Sequence, residues 1–280
     1  MFFSGIADEA GKPLAMQIKA HKQLGWHHIE IRNVNETTLA WADDAEFDRI
    51  RAELDKAELQ VSCFASQIAN WSRDITAPAD KDYDELKRAI PRMKAMKCPF
   101  IRIMSYSNKT NIADAEWRKE AVKRLREMTK MAEAGGITLV HENCDGWGGH
   151  EIRNTLDLIS EMNSPAFKLV YDTGNPIAHK QDSWDYYVAV KPFIVYIHIK
   201  DGQKLPDGKV KWFWPGQGAG CVRKIIVDLL HRGYTGGLSI EPHIGSIVHE
   251  GKEATPETLY KSYVEYGKRL MRVVSEAEKV

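Results

Sequence analysis

The sequence predicts an α/β fold, a single (β/α)8 TIM barrel. Three observations predict it. Short β-rich runs alternate with amphipathic stretches along the chain, giving about eight strand-then-helix units. Chemically distinctive residues sit at the ends of several strands, which suits a closed ring. No Gly-x-Gly-x-x-Gly follows the first strand, which argues against a doubly wound open sheet. The length of 280 residues would also fit two ordinary domains, but no linker or low-complexity segment divides the chain. Residues 1–280 are therefore expected to form one domain.

Each element has its own signal. Residues 2–7 read as the first strand. Residues 13–24 read as a helix with Leu14, Ile18, Ala20 and Leu24 near helical spacing and Gly25 as its stop. Residues 28–32 alternate as a strand. Residues 46–58 form a helix with Phe47, Ile50 and Leu54 on one face, and residues 60–65 are β-prone. Residues 83–97 read as a helix in which Pro91 predicts a kink or an earlier break. Residues 100–104 form a strand. Residues 114–134 form the longest helix, with Asp114 as its N-cap and Gly135-Gly136 as its stop.

The second half repeats the scheme. Strands are expected at 138–143, 167–172, 195–200 and 237–242, and helices at 150–162, 183–190, 221–232 and 256–275. Residues 201–220 are poorly patterned and are expected to be an active-site loop.

Composition limits the partners. Lys plus Arg and Asp plus Glu number 39 each, so bulk charge points to neither a nucleic acid nor an acidic membrane surface. No apolar run reaches the roughly 18 residues of a membrane span. The N-terminus lacks the basic region of a signal peptide, and Cys63, Cys98, Cys144 and Cys221 form no Cys-x-x-Cys pair. A reduced, cytoplasmic protein is expected, and a homo-oligomer is compatible with the sequence.

Four consecutive strands end in groups that bind metals. In a barrel, strand C-termini share one mouth, so Glu142, Asp172, His198 and Glu241 are expected to converge there. Three carboxylates and one imidazole suit one divalent ion, Mn²⁺, Mg²⁺ or Co²⁺ before a thiolate-type site, with Zn²⁺ still admissible. A strand-end acid taken singly is often only a helix cap. Four in sequence, with compatible chemistry, are a stronger signal.

Further residues surround that set. Arg32 shares a strand face with Glu30, and is read either as a substrate ligand or as the neutraliser of Glu30. Lys200, two residues past His198, is read as a substrate contact or as an ion-pair partner of a carboxylate ligand. His243 lies two past Glu241 and is read as a site residue before a capping one. Trp147, Trp212 and Trp214 sit in loops after the expected strands, where indole faces suit the C–H faces of a sugar. Their structural alternative is loop anchoring. Cys144 and His150 would allow a second metal, but packing and a helix start are the simpler reading.

The motifs Val140-His141-Glu142-Asn143, Tyr171-Asp172-Thr173-Gly174-Asn175, His198-Ile199-Lys200-Asp201, Pro215-Gly216-Gln217-Gly218 and Ser239-Ile240-Glu241-Pro242-His243 span much of the chain. With Ile29-Glu30-Ile31-Arg32, they resemble the xylose isomerase-like TIM-barrel superfamily. That superfamily holds sugar isomerases and epimerases, inosose dehydratases and endonuclease IV. The resemblance implies a metal-dependent isomerase or epimerase acting on a keto-sugar, a cyclic keto-polyol or a derivative. A metal-stabilised enediolate would form when a proton leaves the carbon beside the carbonyl. Glu142 and Glu241 would serve as metal ligands and as the base and acid.

Departures from the family narrow this expectation. The ketose 3-epimerases of the superfamily carry a histidine at the place of Asn175, an arginine at that of Lys204 and a glutamate at that of Gly148. Asn175 thus stands in the substrate-facing set without that imidazole, which argues against a free ketose of that type. Endonuclease IV needs further histidines, which the ends of strands three and four lack. The alternatives are a dehydratase of the inosose type, using the same enediolate, and a non-catalytic sugar-binding barrel.

Overall fold

The computed structural model describes residues 1–244, 246–247 and 252–280. Its strands are β1 (Phe2–Gly5), β2 (His28–Ile31), β3 (Gln60–Ala65), β4 (Phe100–Ser105), β5 (Thr138–Gly146), β6 (Phe167–Asp172) and β7 (Ile194–Ile199). A hairpin of β8 (Asp201–Lys204) and β9 (Val210–Phe213) follows, then β10 (Gly237–Ile240) and the short pair β11 (Ser246–Ile247) and β12 (Lys252–Glu253). The helices are α1 (Leu14–Leu24), α2 (Asp44–Lys56), α3 (Asp80–Ala95), α4 (Asp114–Gly135) and α5 (Ile152–Met162). They continue with α6 (Asn175–Ala178), α7 (Ser183–Val190), α8 (Val222–His231) and α9 (Pro256–Ala277).

Eight parallel strands lie in the order β1-β10-β7-β6-β5-β4-β3-β2. A parallel bridge between Ile6 and Glu30 joins the two ends of that sheet, so the ring is nearly closed. This is the (β/α)8 barrel that the alternation predicts. Apolar helix faces pack on the outside of the ring, for example Leu125, Met128 and Ala132 of α4 and Leu259, Tyr263 and Leu270 of α9. Cys63, Val140, Val170 and Tyr196 form a separate buried cluster. Ser62 bonds to both Ser4 and the Tyr196 hydroxyl at 2.8 Å, which satisfies the polar atoms buried beside that cluster.

Some sequence expectations need correction. Helix α3 starts at Asp80 and runs through Pro91 without a break. Pro91 and Lys87 lie on the exposed side, where the carbonyl freed by the proline meets water. Asp114 is the first residue of α4 rather than its cap; Ala113 is the N-cap, and Asp114 and Glu116 instead place negative charge in the first turn. Helix α4 continues through Gly135, and Gly136 ends it in the left-handed conformation at φ 64°. The segment expected as a loop at 201–220 contains the β8–β9 hairpin.

That hairpin is anchored from its base. The Asp201 carboxylate accepts backbone N–H bonds from Gly202, Gly216, Gly218 and Gly220 at 2.8–3.0 Å. A Cβ on Gly218 would come within 2.3 Å of the Gly202 carbonyl oxygen, so the turn requires glycine there. The sequence motifs at Asp201 and Pro215–Gly218 are thus two halves of one contact.

Candidate functional site

The ring brings Glu142, Asp172, His198 and Glu241 together, all buried, with one ligand atom of each within 4.8 Å of all the others. Asp172 and His198 are direct register partners on β6 and β7. Ser239 of β10 is the other register partner of His198, and Glu241 follows two residues later. Glu142 arrives differently. Strand β5 continues past it to Gly146, so Glu142 is not at a strand tip as the sequence suggests. Ile103 pairs with His141 and Ser105 with Gly146, so residues 142–145 oppose the one residue Met104. Such a bulge re-aims side chains at the rim of a barrel.

Backbone and side-chain bonds fix the set. Asn143 bonds both sides of the Asp172 backbone, accepting from its N–H at 2.7 Å and donating to its carbonyl at 2.9 Å. Asp172 Oδ1 accepts the N–H groups of Gly174 and Asn175 at 2.7 Å. His198 lies between two carboxylates: Nδ1 is 3.2 Å from Glu142, and Nε2 is 3.1 Å from both oxygens of Glu30. Ser239 donates to Glu30 at 2.6 Å. Glu30 therefore orients the outer ring nitrogen and leaves Nδ1 facing the cluster.

Three cations balance these acids. Arg102 Nη1 is 3.3 Å from Glu142 Oε2. Lys200 Nζ sits 2.9 Å from Glu241 and 3.1 Å from Asp172. Arg32 Nη1 is 3.4 Å from Glu241. Burial alone would raise the pKa of Glu142, but Arg102 and His198 hold it down to about 2. Burial also works against ionised Glu241, yet Lys200 and the cationic groups around it hold its pKa well below the usual range. Asp172 goes the other way, raised by burial to about 6 despite Lys200. Burial disfavours the His198 imidazolium, but Glu30 and Glu142 raise its pKa well above the ordinary value.

The donor set fits a divalent ion. Ligand oxygens about 2.1 Å from one octahedral ion lie at most about 4.2 Å apart, close to the spacing found here. Glu142 Oε2 and Asp172 Oδ2 are buried and accept no hydrogen bond. Each faces only a cation, Arg102 or Lys200, so lone pairs remain for a metal ion, and His198 Nδ1 adds a nitrogen ligand once the ion displaces its proton.

A cavity of about 260 Å³ opens beside the cluster. Arg32, Asn33, Gln67, Asn70, Trp71 and Arg102 line one side of it, with Glu142, Lys200 and Glu241 on the other. Arg32 reaches this cavity but does not neutralise Glu30. Its guanidinium bonds Asp8 at 3.0 Å, while Glu30 serves His198. Lys200 forms ion pairs with both Asp172 and Glu241 and also lines the cavity. His243 Nδ1 bonds Glu9 at 2.9 Å, and its Nε2 is 3.9 Å from Glu241. Asn175 donates to Glu142 at 3.3 Å.

The tryptophans differ from expectation. Trp147 is buried in the apolar core with Arg118 over its ring, and Trp214 packs on Tyr266 under Arg269. Neither lines the cavity. Trp212 lies close by instead, with Lys200 Nζ 5.3 Å from its ring centre and His243 edge-on at 5.5 Å. Cys144 is a buried free thiol, and His150 precedes α5 rather than starting it. Arg102, Glu30 and Trp71 escaped the sequence reading as site residues. The signal for Arg102 was a charge inside the apolar run of β4; Trp71 left none.

Comparison with known proteins agrees with this fold. A sequence model of the family described as xylose isomerase-like TIM barrel matches residues 18–269. The 2-epi-5-epi-valiolone 7-phosphate 2-epimerase of Actinoplanes sp. is 28% identical over 183 residues, which are 65% of this chain and 64% of that relative. The chain thus matches just under two thirds of that relative's length. The inosose isomerase of Halalkalibacterium halodurans is 20% identical over 225 residues, 78% of each protein. A xylose isomerase-like TIM barrel protein from Mycobacterium smegmatis, solved in complex with magnesium, superposes with a TM-score of 0.74. It is 18% identical, covering 99% of this chain and 97% of the other. Among the described residues no helix is long and apolar enough to cross a membrane.

Proposed function

Because the chain belongs to the xylose isomerase-like TIM barrel family, we propose that it is a divalent-metal-dependent isomerase or epimerase acting on a keto-sugar or cyclic keto-polyol. Residues 1–280 act in this reading as one catalytic domain. The observation that carries it is the buried convergence of Glu142, Asp172, His198 and Glu241 beside a cavity with amide and indole walls. The names of the two relatives, an epimerase and an isomerase, support the reaction class. The four clustered residues would hold the ion, which when bound supplies Lewis-acid stabilisation for negative charge on oxygen.

The chain's own groups do the rest. Asn33, Gln67 and Asn70 offer hydrogen bonds to substrate hydroxyls, and Trp71 offers an apolar face. Glu142 and Glu241 are both held ionised by their neighbours, the state a base requires. One of them takes the proton from the carbon beside the carbonyl. That glutamate can return the proton to the neighbouring carbon for isomerisation, whereas for epimerisation the other relays a proton from water to the opposite face and the first gives its own proton to water. Lys200, beside Glu241 and lining the cavity, offers a fixed positive charge to the substrate oxygen on which negative charge gathers as the proton leaves.

The test is a screen of keto-sugars and inososes by proton NMR in D₂O with added Mn²⁺, Mg²⁺, Co²⁺ or Zn²⁺. Deuterium should enter the carbon beside the carbonyl with the composition otherwise retained. Loss of water from the substrate would assign the dehydratase reaction instead. Binding without exchange would leave a sugar-binding barrel.

A further inference from the structure

A second group of metal-binding side chains lies outside the four-residue cluster. Asp145, in the bulge of β5, faces His150 from the following loop and His179 at the end of α6. One ligand atom of each lies within 4.8 Å of the others. Asp145 Oδ1 is 3.5 Å from His150 Nε2 and 3.6 Å from His179 Nε2. The imidazole rings lie 4.6 Å apart, between centres, tilted by 37°. We propose that Asp145, His150 and His179 bind a second divalent cation, and that the chemistry of the set selects zinc.

The spacing supports this assignment. Ligands about 2.0–2.1 Å from a tetrahedral zinc lie about 3.4 Å apart, so the two measured N–O separations need little change. Two imidazoles and one carboxylate make a three-residue zinc set with a fourth position for water. The side chains are 46%, 37% and 21% exposed in the order Asp145, His150, His179, so water can reach that position. Both histidines present Nε2 toward the carboxylate. His150 Nε2 faces the Gly146 N–H at 3.3 Å, a contact that a cation on this nitrogen would replace.

The three residues come from chain segments that the ladder does not join. A cation there would tie the outer part of the β5 bulge to α6, the helix that begins with Asn175. The oxygen-rich inner cluster and this histidine-rich outer one would then differ in metal preference.

The chelator-stripped full-length protein should be titrated with Zn²⁺ by calorimetry and with Co²⁺ by visible absorption. Wild type is expected to take up two equivalents of zinc. The His150→Gln/His179→Gln double variant should lose one equivalent, together with the intense Co²⁺ bands of a tetrahedral site. Asp172→Asn should lose only the other. If wild type takes up a single zinc that the double variant loses and Asp172→Asn keeps, this site stands and the inner one fails. If the double variant binds as many equivalents as wild type with unchanged affinity, or wild type binds no zinc, the inference is overturned. Circular dichroism and the equivalent retained at the inner cluster verify that the double variant is folded.

Discussion

The two sides of the barrel mouth are built on different plans. On the side of β5, β6, β7 and β10, acids and a histidine stand together, fixed by register and by backbone N–H groups. On the side of β2, β3 and β4, two arginines share the wall with amides and Trp71. The first side concentrates carboxylates, which Lys200 and the two arginines balance and which offer oxygen ligands to a metal ion. The second offers donors and an apolar face, which suit hydroxyls and ring carbons. The sides are not independent, since Arg102 of β4 reaches Glu142 on the neighbouring β5 and Arg32 meets Glu241. Substitutions on the acidic side should therefore reduce turnover, and those on the opposite wall should weaken substrate binding, with Arg102 doing neither cleanly.

The largest effect is expected from Glu142→Gln and Glu241→Gln. Each should lower kcat by about 10²–10⁴-fold in steady-state assays on an identified substrate, the scale of a lost proton carrier. Equal turnover in both variants would remove the proposed base and acid.

Arg102→Met tests the link between the sides. It leaves the buried Glu142 charge without its guanidinium, and breaking such a pair costs about 3–5 kcal/mol. Denaturant unfolding should show that loss, and a stability unchanged from wild type would mean that His198 alone balances Glu142. Glu30→Gln should act more gently. It weakens the group that orients His198, and metal affinity should fall roughly 10–100-fold in a Mn²⁺ titration. The smallest effect belongs to the wall. Trp71→Ala should raise KM about 2- to 10-fold with kcat nearly unchanged, from an aromatic contribution of about 0.5–1.5 kcal/mol. A fall in kcat alone would show that Trp71 acts on the acidic side.

The same contrast explains what the sequence made legible. The barrel was readable because each strand and helix carries its own period and punctuation. Asp172 and His198 were readable because each comes at or next to the end of its strand. Glu142 was identified but misplaced, since a bulge depends on the register with β4 and leaves no local mark in β5. Glu30 and Arg32 share a face at period two, which suggested an ion pair. Folding gives Glu30 to His198 across the barrel and Arg32 to Asp8 instead. Those partners are 168 and 24 residues apart in the chain, and only the closed ring makes them neighbours. Trp147 and Trp71 show the same limit. Both follow barrel strands, but which indole faces the cavity depends on helix packing that local sequence does not specify.

The central claim is that Glu142, Asp172, His198 and Glu241 form one metal site on which turnover depends. Calorimetric titration of Mn²⁺ into the stripped protein, wild type against Asp172→Asn, tests it most directly, because Asp172 is assigned no proton-transfer role. The account predicts that the variant loses one Mn²⁺ equivalent while keeping the wild-type circular dichroism spectrum, and that its turnover is lost as well. Unchanged stoichiometry and affinity in Asp172→Asn would contradict it.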